Sequence, residues 1–258
     1  MKDNISIKYL EIINNSRIAY IESQKFASPA QAVTVLYLGG FCSDMEGTKA
    51  TLLHEWAQFN RINFVRFDYR GHGQSSGEFV DFGIDDWVDD AIAIINHVIG
   101  GPVLLVGSSM GGWVGASLLK RCPQKIHSFI GIAAAPDFTE EFYHLKFSDA
   151  QRAIVDNGGV VELPSGHLEP YKIGKPLIEG GQKSAIFGEP LKFDGPIRLF
   201  QGMRDISVPY ERAINLSLHI ECDDLRLELV KNADHGFSRP EDMDRIYAGI
   251  IELLEYTR

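Results

Sequence analysis

At 258 residues, with 45% hydrophobic and 23% charged side chains, the chain has the composition of an ordinary globular protein and is long enough for one large α/β domain. A net charge of -10 disfavours nucleic acid and anionic membrane surfaces as partners, and no apolar run is long enough for a membrane span. Met1-Lys2-Asp3-Asn4 has neither the apolar core of a signal peptide nor the arginine-rich character of a transit peptide, so the chain reads as cytoplasmic.

In chain order, residues 5–10 and 17–21 read as two strands joined by Asn14-Asn15-Ser16, an antiparallel hairpin at a sheet edge. Residues 33–38 form the next apolar strand and end in Gly39-Gly40-Phe41. Ser43 and Glu46 have capping-box spacing ahead of a helix that shows Leu52, Leu53, Trp56 and Phe59 on one face. After a strand at 63–67 comes a glycine-rich loop, Asp68 to Ser75, which lacks the Gly-Lys-Ser/Thr ending of a phosphate loop. His72 within it reads as a structural turn residue. Ile84, Trp87, Val88, Ala91, Ile92, Ile95 and Ile99 recur at helical spacing, with Asp85, Asp86, Asp89 and Asp90 as a solvated face.

Residues 103–106 are apolar and β-branched enough for a strand buried on both faces, and a helix is expected over 113–121. A strand at 128–134 follows. Residues 139–194 then break the alternation with aromatics and turn signals. They read as a lid insertion: a helix near 149–157, a hairpin around 160–173 and a helix near 176–187. The core is accordingly 1–138 and 195–258, with strands at 197–201 and 225–230 and a final helix over 240–256.

Gly107-Ser108-Ser109-Met110-Gly111 carries the chemistry. A G-x-S-x-G turn between strand and helix holds Ser109 out above the sheet as a nucleophile and leaves the Met110 N–H free to face an oxyanion. The Phe41 N–H is the expected second donor. Ser109 needs a neutral imidazole to take its proton, and that imidazole needs a carboxylate on its other nitrogen. His235 and Asp205 each follow a late strand, so both loops open on the same sheet edge as Ser109, and the order Ser109, Asp205, His235 suits this architecture. Asp137 and Asp234 are rival acids. His54, His97, His127, His144, His167 and His219 follow no sheet strand in that way and read as structural or surface residues. Cys42, Cys122 and Cys222 match no metal-ligand pattern, so no metal is expected, and no organic cofactor is either.

Gly39-Gly40-Phe41, Gly47-Thr48-Lys49-Ala50, Gly107 to Trp113 and Gly202-Met203-Arg204-Asp205 together resemble the α/β-hydrolase superfamily, most nearly its branch of palmitoyl-protein thioesterases and acyl-glucuronide esterases. The resemblance runs from about residue 33 onward. It departs at Leu38-Gly39, where many members have His-Gly. It implies the α/β-hydrolase fold: a mostly parallel central sheet with helices on both faces and a small lid. It also implies Ser109, Asp205 and His235 as a triad, with Phe41 and Met110 as oxyanion donors. The expected activity is hydrolysis of an ester or thioester in a small-molecule or acylated-protein substrate, with Phe142 and Tyr143 of the lid meeting the acyl group. An amidase or peptidase using the same triad, and a non-catalytic binding protein on this fold, are the alternatives.

Overall fold

The computed structural model describes residues 6–12, 15–23, 33–165 and 170–256. In chain order these form β1 (Lys8–Glu11), β2 (Arg17–Glu22), β3 (Thr34–Leu38), α1 (Thr48–Phe59), β4 (Phe64–Phe67), α2 (Ile84–Ile94), β5 (Val103–Ser108), α3 (Met110–Arg121) and β6 (Ile126–Ile132). There follow α4 (Phe138–Glu141), α5 (Asp149–Asp156), β7 (Val161–Leu163), β8 (Tyr171–Ile173), α6 (Lys175–Lys183) and β9 (Leu191–Lys192). Then come β10 (Ile197–Gly202), α7 (Tyr210–His219), β11 (Ile220–Glu221), β12 (Leu225–Val230) and α8 (Pro240–Glu255).

Eight strands share one sheet in the order β1-β2-β4-β3-β5-β6-β10-β12. Pairing is parallel from β4 through to β12, and β2 is antiparallel to both of its neighbours. The hairpin therefore lies at one edge, as expected, although residue 5 of its first strand and residue 14 of its turn fall outside the described residues. Period-two alternation divides the strand side chains between two cores. Val35, Leu104, Val106 and Ile130 pack with Leu53 of α1 and with Met243, Ile246 and Ile250 of α8. Leu36, Leu38, Leu105 and Phe129 pack with Trp87 of α2 and Trp113 of α3. Apolar residues on both strand faces are what a sheet covered on both sides requires.

Several local expectations are corrected. The Ser43 and Glu46 spacing makes no capping box: the chain turns once more through Asp44–Gly47, and α1 starts at Thr48 with Gly47 at its uncapped N-terminus. Its buried face is Ala50, Leu53, His54 and Ala57, an i, i+3, i+4, i+7 set. Phe59 is off that stripe and 86% exposed. Asp90 is not solvated either. It lies three residues after Trp87 and four before Ile94, on the inner face of α2, where Arg70 meets it with Nε at 2.6 Å and the backbone N–H at 2.8 Å. Burial pushes its carboxyl up to about 6 despite the Arg70 charge.

In the insertion, α5, the β7–β8 hairpin and α6 stand near their expected places, with α6 ending at Lys183. α4 and the π-helical turn Phe142–Lys146 that extends it, as well as α7 and the short β9–β11 pair, are additions to the expected elements.

Candidate active site

The loops after β3, β5, β10 and β12 leave the same edge of the sheet, because these strands are parallel. Ser109 occupies the single position between β5 and α3, at φ 55 and ψ −116. A positive φ in a residue with a Cβ persists only where the surroundings hold it there. Here the Ser109 N–H donates to the Ile132 carbonyl at 2.9 Å, and the Ser109 carbonyl accepts from Gly112 and Ala135. Flanking glycines let the turn close. A Cβ on Gly107 would stand 2.3 Å from the Gly111 carbonyl oxygen, and one on Gly111 would stand 2.0 Å from that of Leu38.

His235 Nε2 lies 3.1 Å from Ser109 Oγ, and its Nδ1 lies 2.8 Å from Asp205 Oδ2. Asp205 is fixed in turn: its Oδ1 accepts from the Ser207 and Val208 N–H groups, each at 2.8 Å, and its Oδ2 accepts from Gln201 Nε2 at 3.0 Å. Burial raises the Asp205 carboxyl, but the hydrogen bonds from His235, Val208 and Gln201 outweigh it and hold the group below its ordinary value. An ionised Asp205 accepts the Nδ1 proton, which leaves Nε2 as the acceptor for the serine hydroxyl.

The rival carboxylates are engaged elsewhere. Asp137 accepts the N–H groups of Ile186 at 2.9 Å and Phe187 at 3.0 Å, and Asp234 accepts that of Phe237 at 3.3 Å. His72 is buried among Tyr69, Phe79 and Trp87, and desolvation lowers it to about 4, so it stays neutral. His54 is also buried and lowered to about 4, first by desolvation and then by the Arg66 charge. His127, His144 and His219 bond to Tyr256, Glu140 and Glu189, and His167 lies outside the described residues.

Met110 is the first residue of α3, so no intrahelical carbonyl takes its N–H. Phe41 sits in the turn closed by Ser43 N–H to the Gly40 carbonyl. A Cβ on Gly40 would stand 3.6 Å from Ser109 Cβ, which sets this loop directly against the Ser109 turn. The Phe41 ring joins the core to the insertion. It makes edge contacts with Phe79 and Trp87 on one side and with Phe138, Phe142 and Tyr171 on the other, with centroids 5.1 to 6.5 Å apart.

A cavity of about 320 Å³ is lined by Phe142, Lys146, Leu163, Pro164 and Tyr171. Phe142 and Tyr171 connect it to Phe41. Tyr143 does not line it: the tyrosine hydroxyl donates to Asp156 at 2.9 Å and the ring packs against Phe147. Adjacent residues of a helical turn point in different directions, so Phe142 and Tyr143 have different surroundings. Of these lining residues only Phe142 was expected to meet substrate; Lys146, Leu163, Pro164 and Tyr171 carry no signal in the sequence beyond membership of an aromatic, turn-rich stretch. Among the described residues, no group of three or more His, Cys, Asp or Glu side chains is arranged to hold a metal ion.

A family profile described as serine aminopeptidase, S33, matches residues 29–157, half of the chain. The mitochondrial palmitoyl-protein thioesterase ABHD10 of Bos taurus is 29% identical over 97% of this chain and 80% of its own length. Among solved structures, a putative hydrolase from Agrobacterium vitis S4 is 33% identical with a TM-score of 0.90, covering 97% of this chain and 99% of its own. Mouse α/β-hydrolase domain-containing protein 10 is 27% identical with a TM-score of 0.85, over 97% and 98% of the two chains. Among the described residues, no helix is long and apolar enough to cross a membrane.

Proposed function

The chain belongs to the serine aminopeptidase S33 family of α/β-hydrolases, and on that footing we propose that it is a serine hydrolase that cleaves carboxylic esters or thioesters through an acyl-enzyme. The observation that carries this reading is the unbroken hydrogen-bond chain from Ser109 Oγ through His235 to Asp205. Ser109 attacks the acyl carbon as His235 Nε2 takes its proton. Asp205 keeps the ring in the tautomer that can do so and stabilises the imidazolium. The carbonyl oxygen becomes an oxyanion facing the Met110 and Phe41 N–H groups. His235 returns the proton to the departing alcohol or thiol. Water then repeats the cycle on the acyl-serine and releases the acid.

Two observations favour an acyl substrate over a peptide with a free amino end. Among the relatives that span nearly the whole chain, those of Bos taurus and Mus musculus are palmitoyl-protein thioesterases by name. Among the described residues, the cavity beside Phe41 is lined by four apolar or aromatic side chains and one lysine, a lining that suits an acyl chain better than an ammonium group. In this reading residues 139–194 act as a lid that selects the acyl group.

Labelling with a fluorophosphonate probe, followed by turnover of matched acetyl ester, thioester and amide, tests the proposal. Stoichiometric labelling of wild type that is lost in Ser109→Ala, with ester and thioester turned over and amide spared, is the expected result. An unlabelled wild type would mean a binding protein on this fold, and amide cleavage at comparable rate would make it an amidase.

A further inference from the structure

His235 is carried on a loop, so its aim depends on what ties that loop down. Lys49, the second residue of α1, supplies a tie from outside the triad: its Nζ donates to the carbonyl of Gly236, the residue next to His235. The lysine is only 8% exposed. Its placement is costly twice over, because burial removes the hydration of an ammonium group and the first turn of a helix disfavours a cation. The charged groups that face it are all acids: Asp234 on the His235 loop, Asp242 on α8 and Asp205 of the triad itself. Asp242 is fully buried and also bonded to Arg239 at 2.6 Å, while Asp234 caps the Phe237 N–H. Lys49 lies in the Gly47-Thr48-Lys49-Ala50 segment, which the triad chemistry leaves without a role.

We propose that Lys49 is a positioning residue for the hydrolysis: its ammonium fixes the Gly236 carbonyl, and with it the His235 ring, and offsets the carboxylate of Asp234. The second effect matters because the resting ring has to be neutral to accept the Ser109 proton. Asp242 keeps its Arg239 partner without the lysine, but Asp234, adjacent to His235 in the chain, is left with a backbone N–H, and an unbalanced carboxylate there would draw a proton onto the ring before the serine reacts. Lys49 bonds to the backbone and not to the ring, so Asp205 still stabilises the imidazolium directly. The tie also has a pH limit. Burial lowers the Lys49 ammonium to about 8 against the pull of the three carboxylates, so its charge is lost on the alkaline side of neutrality.

This inference rests on the hydrolase reading, and its test separates the two. Wild type, Lys49→Met and Lys49→Arg are first labelled with the fluorophosphonate, and then kcat and KM for an acetyl ester are measured across acid to alkaline pH. Lys49→Met is expected to lose about 10- to 100-fold in kcat, as a small misplacement of a catalytic group does, with KM nearly unchanged and the acid limb of kcat/KM moved upward. Lys49→Arg is expected to restore the acid limb and to abolish the wild-type decline near pH 8, because a guanidinium keeps its proton. An acid limb unmoved in folded Lys49→Met overturns the inference. If that variant does not fold, an alkaline decline that persists in Lys49→Arg, or is absent from wild type, overturns it instead. Failure of wild type to label sinks the hydrolase reading. Normal wild-type labelling with unmoved profiles in both variants sinks only the role of Lys49.

Discussion

The two walls of the site are held by different means. The β5–α3 turn is set by its own backbone: Ser109 at positive φ, and glycines at 107 and 111 where a Cβ would collide with main-chain oxygens. The insertion is set mostly by side chains, although Gly174 and Gly180 also press on main-chain atoms of Val80 and Ile84. Asp137 takes the Ile186 and Phe187 N–H groups, Trp113 Nε1 donates to the Ser184 carbonyl at 2.8 Å, Lys183 meets Asp85 at 3.0 Å, and rings gather around Phe41. Backbone constraint permits one geometry, whereas side-chain packing tolerates exchange at similar volume. The wall proposed to do chemistry is of the first kind, and the wall proposed to choose the acyl group is of the second.

The sharpest way to break that contrast is to disturb the chemistry without touching either wall. Asp205→Asn should lower kcat by about 10⁴, because the amide favours the wrong histidine tautomer. A loss of that size from Asp137→Asn or Asp234→Asn instead would move the acid elsewhere. The same variant carries a stability signature. Asp205 is held below its unfolded value of 3.8, so its stabilising contribution is complete above that pH and is lost as pH falls through the folded value. The stability difference between wild type and Asp205→Asn, measured by denaturant titration, should therefore shrink on acidification below about pH 4.

Next in size is a pair of glycine substitutions, one in each wall. Gly111→Ala sets its methyl 2.0 Å from a main-chain oxygen and should cost about 2–3 kcal/mol, with activity falling as the Ser109 turn shifts. Gly188→Ala in the insertion meets nothing within 4 Å and should stay within about 0.5 kcal/mol. Equal losses would mean that the two walls are constrained alike.

The same contrast explains what could be read from the chain. The parallel sheet was legible because apolar runs bounded by turns specify strands buried on both faces, and Ser109 stood out because its turn is written in residue types. Asp205 and His235 were selected by position after a strand, and the structure brings both within hydrogen-bond reach of one another. Phe59 and the Ser43 spacing misled because α1 starts only after the Asp44–Gly47 turn and buries the face of Ala50, Leu53, His54 and Ala57, and Asp90 misled because its partner Arg70 arrives from another loop. Lys49 and the Phe41 ring escaped notice for a related reason. Their partners lie far along the chain, at Gly236 in one case and at Phe142 and Tyr171 in the other.

Phe142→Ala sharpens the proposed selectivity of the second wall. A cavity that removes methylenes from water gains about 0.8 kcal/mol for each, so wild-type kcat/KM should climb with acyl length until the space is full. Removing the Phe142 ring takes away one side of that space. The slope over a series of straight-chain esters should fall to about half or less, while the acetyl ester changes by no more than about threefold. Parallel losses for short and long esters would mean that Phe142 supports Phe41 and the oxyanion loop and does not select the acyl group.

The smallest expected effect belongs to the neighbouring residue, and it decides how finely the second wall divides its labour. Tyr143 is one position from Phe142, and the sequence gives no reason to separate the two. The structure separates them, since the Tyr143 hydroxyl is spent on Asp156 and its ring lies on Phe147, away from the residues that line the cavity. Tyr143→Phe removes only that hydroxyl, and a hydrogen bond at an exposed position exchanges readily for one with water. The chain-length series should therefore keep its wild-type slope, and the melting temperature should remain unchanged within error. Tyr143→Ala, which also deletes the ring, should leave the slope intact even if the insertion loosens. A slope flattened by Tyr143→Ala as much as by Phe142→Ala would show that the acyl group reaches the outer face of the π-helical turn Phe142–Lys146, and the selective wall would then extend beyond the cavity.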